Sequence, residues 1–181
     1  VAPAFRAGDA LLKHSAFLRA CHYRALDRQL RSTMADGMIF VVDTGDQVIA
    51  RDMVVHGHFD LSKAEKALEI ARIAPETATF VDVGANIGSI CLPLVHTGRV
   101  RSAIAIEPEP TNAKLLRANI VLNRLDDRVT MHHTAVGARQ DEQLMFELSG
   151  DNFGDHRVST SRTAGQYDES GRKTITVPST T

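Results

Sequence analysis

"TFVDVGANIGS", residues 79–89, is the stretch on which the fold turns. Thr79 to Val83 read as a short buried strand, since Phe80, Val81 and Val83 are apolar and strand-prone. Gly84 and Gly88 then punctuate a turn, and an apolar helical run (Ile87, Ile90, Leu92, Leu94, Val95) follows. A strand, a tight glycine turn and a helix together bring backbone N–H groups close to a ligand.

Two cofactor classes use such a loop at the carboxyl ends of a parallel sheet, dinucleotides and S-adenosylmethionine. A dinucleotide carries a pyrophosphate, which asks for G-x-G-x-x-G so that bare backbone can approach it. Here the loop is Gly84-Ala85-Asn86-Ile87-Gly88, with Asn86 where the central glycine would stand. S-adenosylmethionine has no phosphate; it offers a sulfonium, an amino-acid end and a ribose with two hydroxyls. Asp82 is placed to order the turn or to face the ligand's ammonium group. A carboxylate ending the next strand would accept from the ribose hydroxyls. "AIAIEPEP" supplies one in Glu107, and Pro108 stops that strand immediately after it. The plainer alternatives are Asp82 as an acid near a helix start and Glu107 as an ordinary surface residue.

Working outward, the pattern alternates strand and helix. Strand 79–83 is followed by a helix at 88–97, a strand at 103–106, a helix from Pro110 to about Leu125, and a strand at 129–136. That alternation implies parallel βαβ units with right-handed crossovers. Leu144–Leu148 reads as a fourth, antiparallel strand and 174–178 as a last short one. Upstream, residues 9–35 carry a helical stripe, Leu12, Ala16, Tyr23, Leu26 and Leu30, with Asp9 as N-cap and a basic flank that stays in water. "MIFVVDTGDQVIARD" (38–52) looks like a hairpin turning at Asp43–Asp46, and residues 61–75 like a helix with a Ser62/Glu65 capping box. These divide the chain into residues 1–75, packing on a core, and 76–181, holding the cofactor loop.

The 181 residues carry a formal net charge of −1, which argues against a nucleic-acid or membrane surface as the main business. No run approaches a membrane span, the first residues lack the apolar stretch of a secretory signal, and the expected location is cytoplasmic. Its first residue is Val1, which suggests an internal boundary. Cys21 and Cys91 read as buried, unpaired thiols. A base for an oxygen nucleophile would be sought at His58 and Asp60 in "VVHGHFDL". His56 and His58 lack a clear third ligand, so no metal is expected. His132 and His133 are adjacent and would face opposite sides of a strand. Asn152 and Asp155 fall in a turn-rich segment with a place near the substrate or in loop chemistry.

"FVDVGANIGS", "AIEPEPTNAKLLRANIVLN", "VTMHHTAVG" and "DNFGDHRV" together resemble the FkbM-type S-adenosylmethionine-dependent methyltransferases. The resemblance implies an α/β, Rossmann-like class I methyltransferase fold. It would be a three-layer sandwich with a mainly parallel sheet, preceded by an N-terminal helix and β-hairpin. Asp82, Gly84, Ala85, Asn86 and Gly88 would line the cofactor, Glu107 with Pro108 would hold the ribose, and Ala135 would lie near the adenine. It implies O-methylation of a small molecule or glycan. The family's acidic "D-x-E-G" segment has no counterpart before Thr181, so C-terminal strands would be missing and strand 79–83 would become an edge open to self-association. A nucleotide-dependent oxidoreductase and a non-catalytic βαβ module stand as alternatives.

Overall fold

The computed structural model describes residues 15–159 and 172–181. At its centre lie three parallel strands in the order β3 (Thr79–Val83), β4 (Ser102–Ile106), β5 (Val129–His132). The helices α4 (Cys91–His96) and α5 (Pro110–Leu122) make the two crossovers. Strands added in one direction by right-handed crossovers put both helices on the same face. That face holds Ala103, Ala105 and Val129, which join Leu92, Leu115 and Leu116 in the main core. On the opposite face Val81 and Val83 are 54% and 61% exposed. Among the described residues the parallel sheet is therefore covered on one side, not the two of a three-layer sandwich. β3 stands at an edge of this sheet among the described residues.

The strand expected over 129–136 divides. After β5 the chain passes His133 and Thr134, and β6 (Ala135–Val136) joins β7 (Gln143–Leu148), β8 (Arg157–Val158) and β9 (Lys173–Thr180) in a second sheet of order β6-β9-β7-β8. There β7 runs antiparallel to both β8 and β9, while β6 runs parallel to β9. This sheet has its own small core of Ala135, Phe146 and Val177.

The N-terminal half departs most from its sequence pattern. Asp9, Leu12 and Lys13 lie outside the described residues, and the helix seen is α1 (Ala16–Arg24), capped by Ser15 Oγ accepting from Leu18 N at 3.3 Å. Residues Leu30–Ala35 form β1 rather than more helix, and pair with β2 (Met38–Asp43). The hairpin thus turns at Asp36-Gly37, both with positive φ (50° and 76°), the type I′ geometry that an Asp-Gly pair favours. The predicted second strand is instead helix α2 (Ile49–His56). Its start is fixed by Asp46, whose buried carboxylate accepts from Val48 N and Ala50 N, both at 3.0 Å. Helix α3 (Leu61–Ala71) forms as expected but without the capping box. Glu65 Oε1 accepts from Arg99 Nε at 3.1 Å instead.

Candidate functional site

The glycine loop lies at the carboxyl end of β3 beside that of β4. Gly84 N and Ala85 N both donate to Ile106 O, at 2.9 and 3.0 Å, which binds the loop to the end of the neighbouring strand. Asn86 takes a left-handed backbone (φ 52°), and its N–H donates to Glu107 Oε2 at 2.8 Å. Its side chain turns inward, Nδ2 donating to Phe153 O at 2.9 Å. Gly84 and Gly88 both have positive φ, for different reasons. A Cβ on Gly84 would meet nothing within 4 Å, because it points into open space. One on Gly88 would stand 2.6 Å from the Leu92 side chain and 2.8 Å from Leu116, so Gly88 lets the helices pack close.

Two cavities flank this loop. The first, about 200 Å³, is lined by Gly84, Asn86, Glu107, Pro108, Thr134, Ala135 and Val136, with Phe146, Phe153 and His156 among its other walls. The second, about 280 Å³, is lined by Asp82, Gly84, Ala85, Asn86, Ser89 and Ile90, with Val48, Ile49 and Phe59 across from them. The structure thus gathers Asp82, Gly84, Ala85, Asn86, Glu107, Pro108 and Ala135 around two adjoining spaces. Gly88 lines neither.

Glu107 is buried and Asp82 half-buried, and both acids are electrically costly. Glu107 is pushed up to about 7 from an ordinary value of 4.5, first by burial. Its hydrogen bonds from Glu109 N and Asn86 N act in the opposite sense. Each carboxylate oxygen accepts one backbone N–H here, and a carboxylate has about four acceptor sites. Asp82 is likewise raised by burial, opposed by hydrogen bonding from Cys91. Its Oδ2 is buried without a hydrogen-bond partner. An acid kept in such a place suits a positively charged or hydrogen-bond-donating ligand.

The other sequence candidates fall outside. His58 and Asp60 are exposed and line neither cavity; Phe59 between them does. Asp60 Oδ2 instead accepts from Lys63 Nζ at 2.8 Å. His133 Nε2 lies 3.2 Å from Pro108 O, and His132 is exposed. Asn152 lines the second cavity and its Oδ1 accepts from Gly154 N at 3.1 Å, whereas Asp155 pairs with Arg172. Cys21 is exposed rather than buried; Cys91 is buried, and both are free. Among the described residues no group of three metal-ligating side chains gathers.

Phe153 was not singled out by its sequence, yet it stitches the site together. Its N–H donates to Asp46 Oδ1 at 3.4 Å and its carbonyl accepts from Asn86. Its ring stacks on His156 with centroids 5.5 Å apart, and Arg28 stands 5.2 Å over the ring. The available signal was a lone aromatic followed by glycine in a polar stretch, which marks an apolar anchor.

Comparison with known proteins bears on which ligand this is. The family described as the TRM5/TYW2 methyltransferase domain matches residues 35–148. A relative from Pyrococcus horikoshii, tRNA(Phe) (4-demethylwyosine(37)-C(7)) aminocarboxypropyltransferase, is 32% identical over 75 residues, 41% of this chain and 27% of the relative. The chain thus spans about a quarter of that relative's length. Similar solved structures include P. horikoshii TYW2 in complex with MeSAdo, 20% identical with a TM-score of 0.44, covering 70% of this chain and 50% of that one. Another is M. jannaschii TYW2 in complex with AdoMet, 24% identical with a TM-score of 0.42, covering 59% and 43%.

These findings correct two expectations. The class I methyltransferase reading stands, but the FkbM-type assignment does not, because the glycine loop and its strand-end acid are shared across the superfamily. The expected small-molecule or glycan acceptor, with no nucleic acid, is overturned by a family whose relatives are named for tRNA. Near-zero net charge misled because a balanced sum over the chain does not by itself exclude a nucleic-acid substrate. The cofactor expectation agrees with the family, a methyltransferase domain family that uses S-adenosylmethionine. The matched residues include Asp82, the whole glycine loop and Glu107, and the chain belongs to the TRM5/TYW2 methyltransferase domain family.

Proposed function

We propose that this chain is the cofactor-binding part of an S-adenosylmethionine-dependent transferase that modifies tRNA. The observation that carries the reading is the juxtaposition of the glycine loop with Glu107 at neighbouring strand ends, inside the matched region. Glu107 would accept the ribose hydroxyls with the lone pairs its two backbone bonds leave. Asp82, with its unpartnered Oδ2, would face the ammonium of the amino-acid end. Gly84 leaves the space between them clear. Thr134, Ala135, Val136 and Phe146 would wall the adenine. S-adenosylmethionine supplies an activated carbon on its sulfonium, so the protein's task is to position and to exclude water. Against a dinucleotide, Asn86 occupies the central loop position and its side chain is committed to Phe153. The two free cysteines fit a reducing, cytoplasmic setting.

The acceptor reading rests on the family and on the tRNA-acting names within it. Its test is transfer of label to unmodified tRNA from S-adenosylmethionine labelled either on the methyl carbon or on the carboxyl carbon. The expected result is tRNA labelled by one donor only, which also names the group moved. Label reaching neither tRNA nor any other RNA, from a chain that binds the cofactor, would remove the tRNA reading.

A further inference from the structure

Two asparagines one turn apart, Asn119 on α5 and Asn123 at its C-cap, pair with the free edge of β2. One side of β2 is bonded to β1, and the other presents the N–H and C=O of Ile39 and Val41. Asn123 Oδ1 accepts from Ile39 N at 3.0 Å and its Nδ2 donates to Ile39 O at 2.7 Å. Asn119 does the same at Val41, accepting from the N–H at 2.7 Å and donating to the carbonyl at 3.2 Å. Residues two apart on a strand edge are thus met by side chains four apart on a helix. The amides supply what a neighbouring strand would, and so close an edge that would otherwise be open.

The two asparagines differ in one respect. Asn119 Nδ2 also donates to Ile87 O, at 2.9 Å, inside the glycine loop. Asn123 spends its second Nδ2 contact on Asn119 O, within its own helix. Asn119 is fully buried at 0% exposure, and its amide N–H groups and carbonyl are all engaged. The loop carbonyl it holds belongs to the residue between Asn86, whose N–H meets Glu107, and Gly88, whose N–H returns to Ala85 O at 2.8 Å.

From this geometry we propose that Asn119 is a positioning residue for the cofactor loop, coupling the β2 edge to it through one amide. The inference rests on the S-adenosylmethionine reading of the site. Asn119 does not line either cavity, so it acts through Ile87 rather than on the ligand. Removing it frees the Ile87 carbonyl and lets the loop leave the conformation in which Asn86 N–H meets Glu107. Because coupling is reciprocal, ligand that orders the loop also orders the Val41 edge.

Asn119→Ala and Asn123→Ala both unpair the β2 edge, but only the first touches the loop. Calorimetric titration with S-adenosylhomocysteine, well below either melting temperature, is expected to show about tenfold weaker binding for Asn119→Ala, the scale of one buried hydrogen bond. Asn123→Ala is expected to change affinity less than about twofold, although its edge is also unpaired. Should Asn119→Ala fail to fold, amide exchange on the unaltered protein carries the test. Ligand is expected to slow exchange at Val41 N–H and leave Ile39 N–H unchanged. Equal affinity loss in the two variants, or equal protection at the two amides, overturns the inference alone. No binding to the unaltered protein overturns the cofactor reading and this inference with it.

Discussion

Glu107 concentrates the chemistry of the site in one carboxyl group. Its Oε1 and Oε2 each hold a backbone N–H, and burial pushes it up to about 7. The folded state therefore holds its proton more tightly than the unfolded chain. Stability from this group is fully present below about pH 4.5 and is lost as pH rises through about 7. The loss by pH 8 amounts to about 3 kcal/mol. Urea unfolding at pH 5 and pH 8 checks this, and Glu107→Gln is expected to flatten that part of the dependence. Binding has the opposite sign, since ribose hydroxyls donate best to the ionised form, so cofactor affinity is expected to rise from pH 6 to pH 8. Glu107→Ala is expected to weaken binding by about 1.5–3 kcal/mol, as for a hydrogen bond to a charged group. At this scale the sequence was informative: a strand-ending Glu before Pro108 is a local signal. The unpartnered Asp82 Oδ2 and the Phe153 hub were not legible, because both depend on what the fold brings alongside.

Among the elements, the glycine loop separates two demands that its sequence presents alike. Gly84→Ala is expected to cost about 1 kcal/mol for its left-handed backbone, yet to reduce cofactor affinity strongly by filling open space. Gly88→Ala adds a collision with Leu92 and Leu116 to the same backbone penalty, and is expected to cost about 3 kcal/mol. Thermal unfolding with and without S-adenosylhomocysteine distinguishes the two. Upstream, the hairpin and helix α2 were misplaced by one element because "MIFVV" and "QVIA" look equally strand-like. Asp36-Gly37 was the stronger turn signal, and the Asp46 carboxylate at the start of α2 made the following run helical. Asp46→Ala is expected to destabilise by about 2 kcal/mol, the upper range for a lost helix cap, because Phe153 N–H also loses its acceptor.

Over the whole molecule, the alternation from residue 79 to residue 132 made the parallel sheet legible, since its contacts are between consecutive elements. The second sheet was less so: β6 and β9 pair across more than forty residues, and no local period encodes that register. The acceptor was least legible of all, because a net charge of −1 is a sum over the chain and carries no information on what a local surface meets. The measurement that tests the central claim most directly is calorimetric titration of this chain with S-adenosylhomocysteine, with NADH as control and Glu107→Ala alongside. The account predicts saturable binding of S-adenosylhomocysteine alone, weakened in the variant. Binding of NADH in its place, or unchanged affinity in Glu107→Ala, would contradict it.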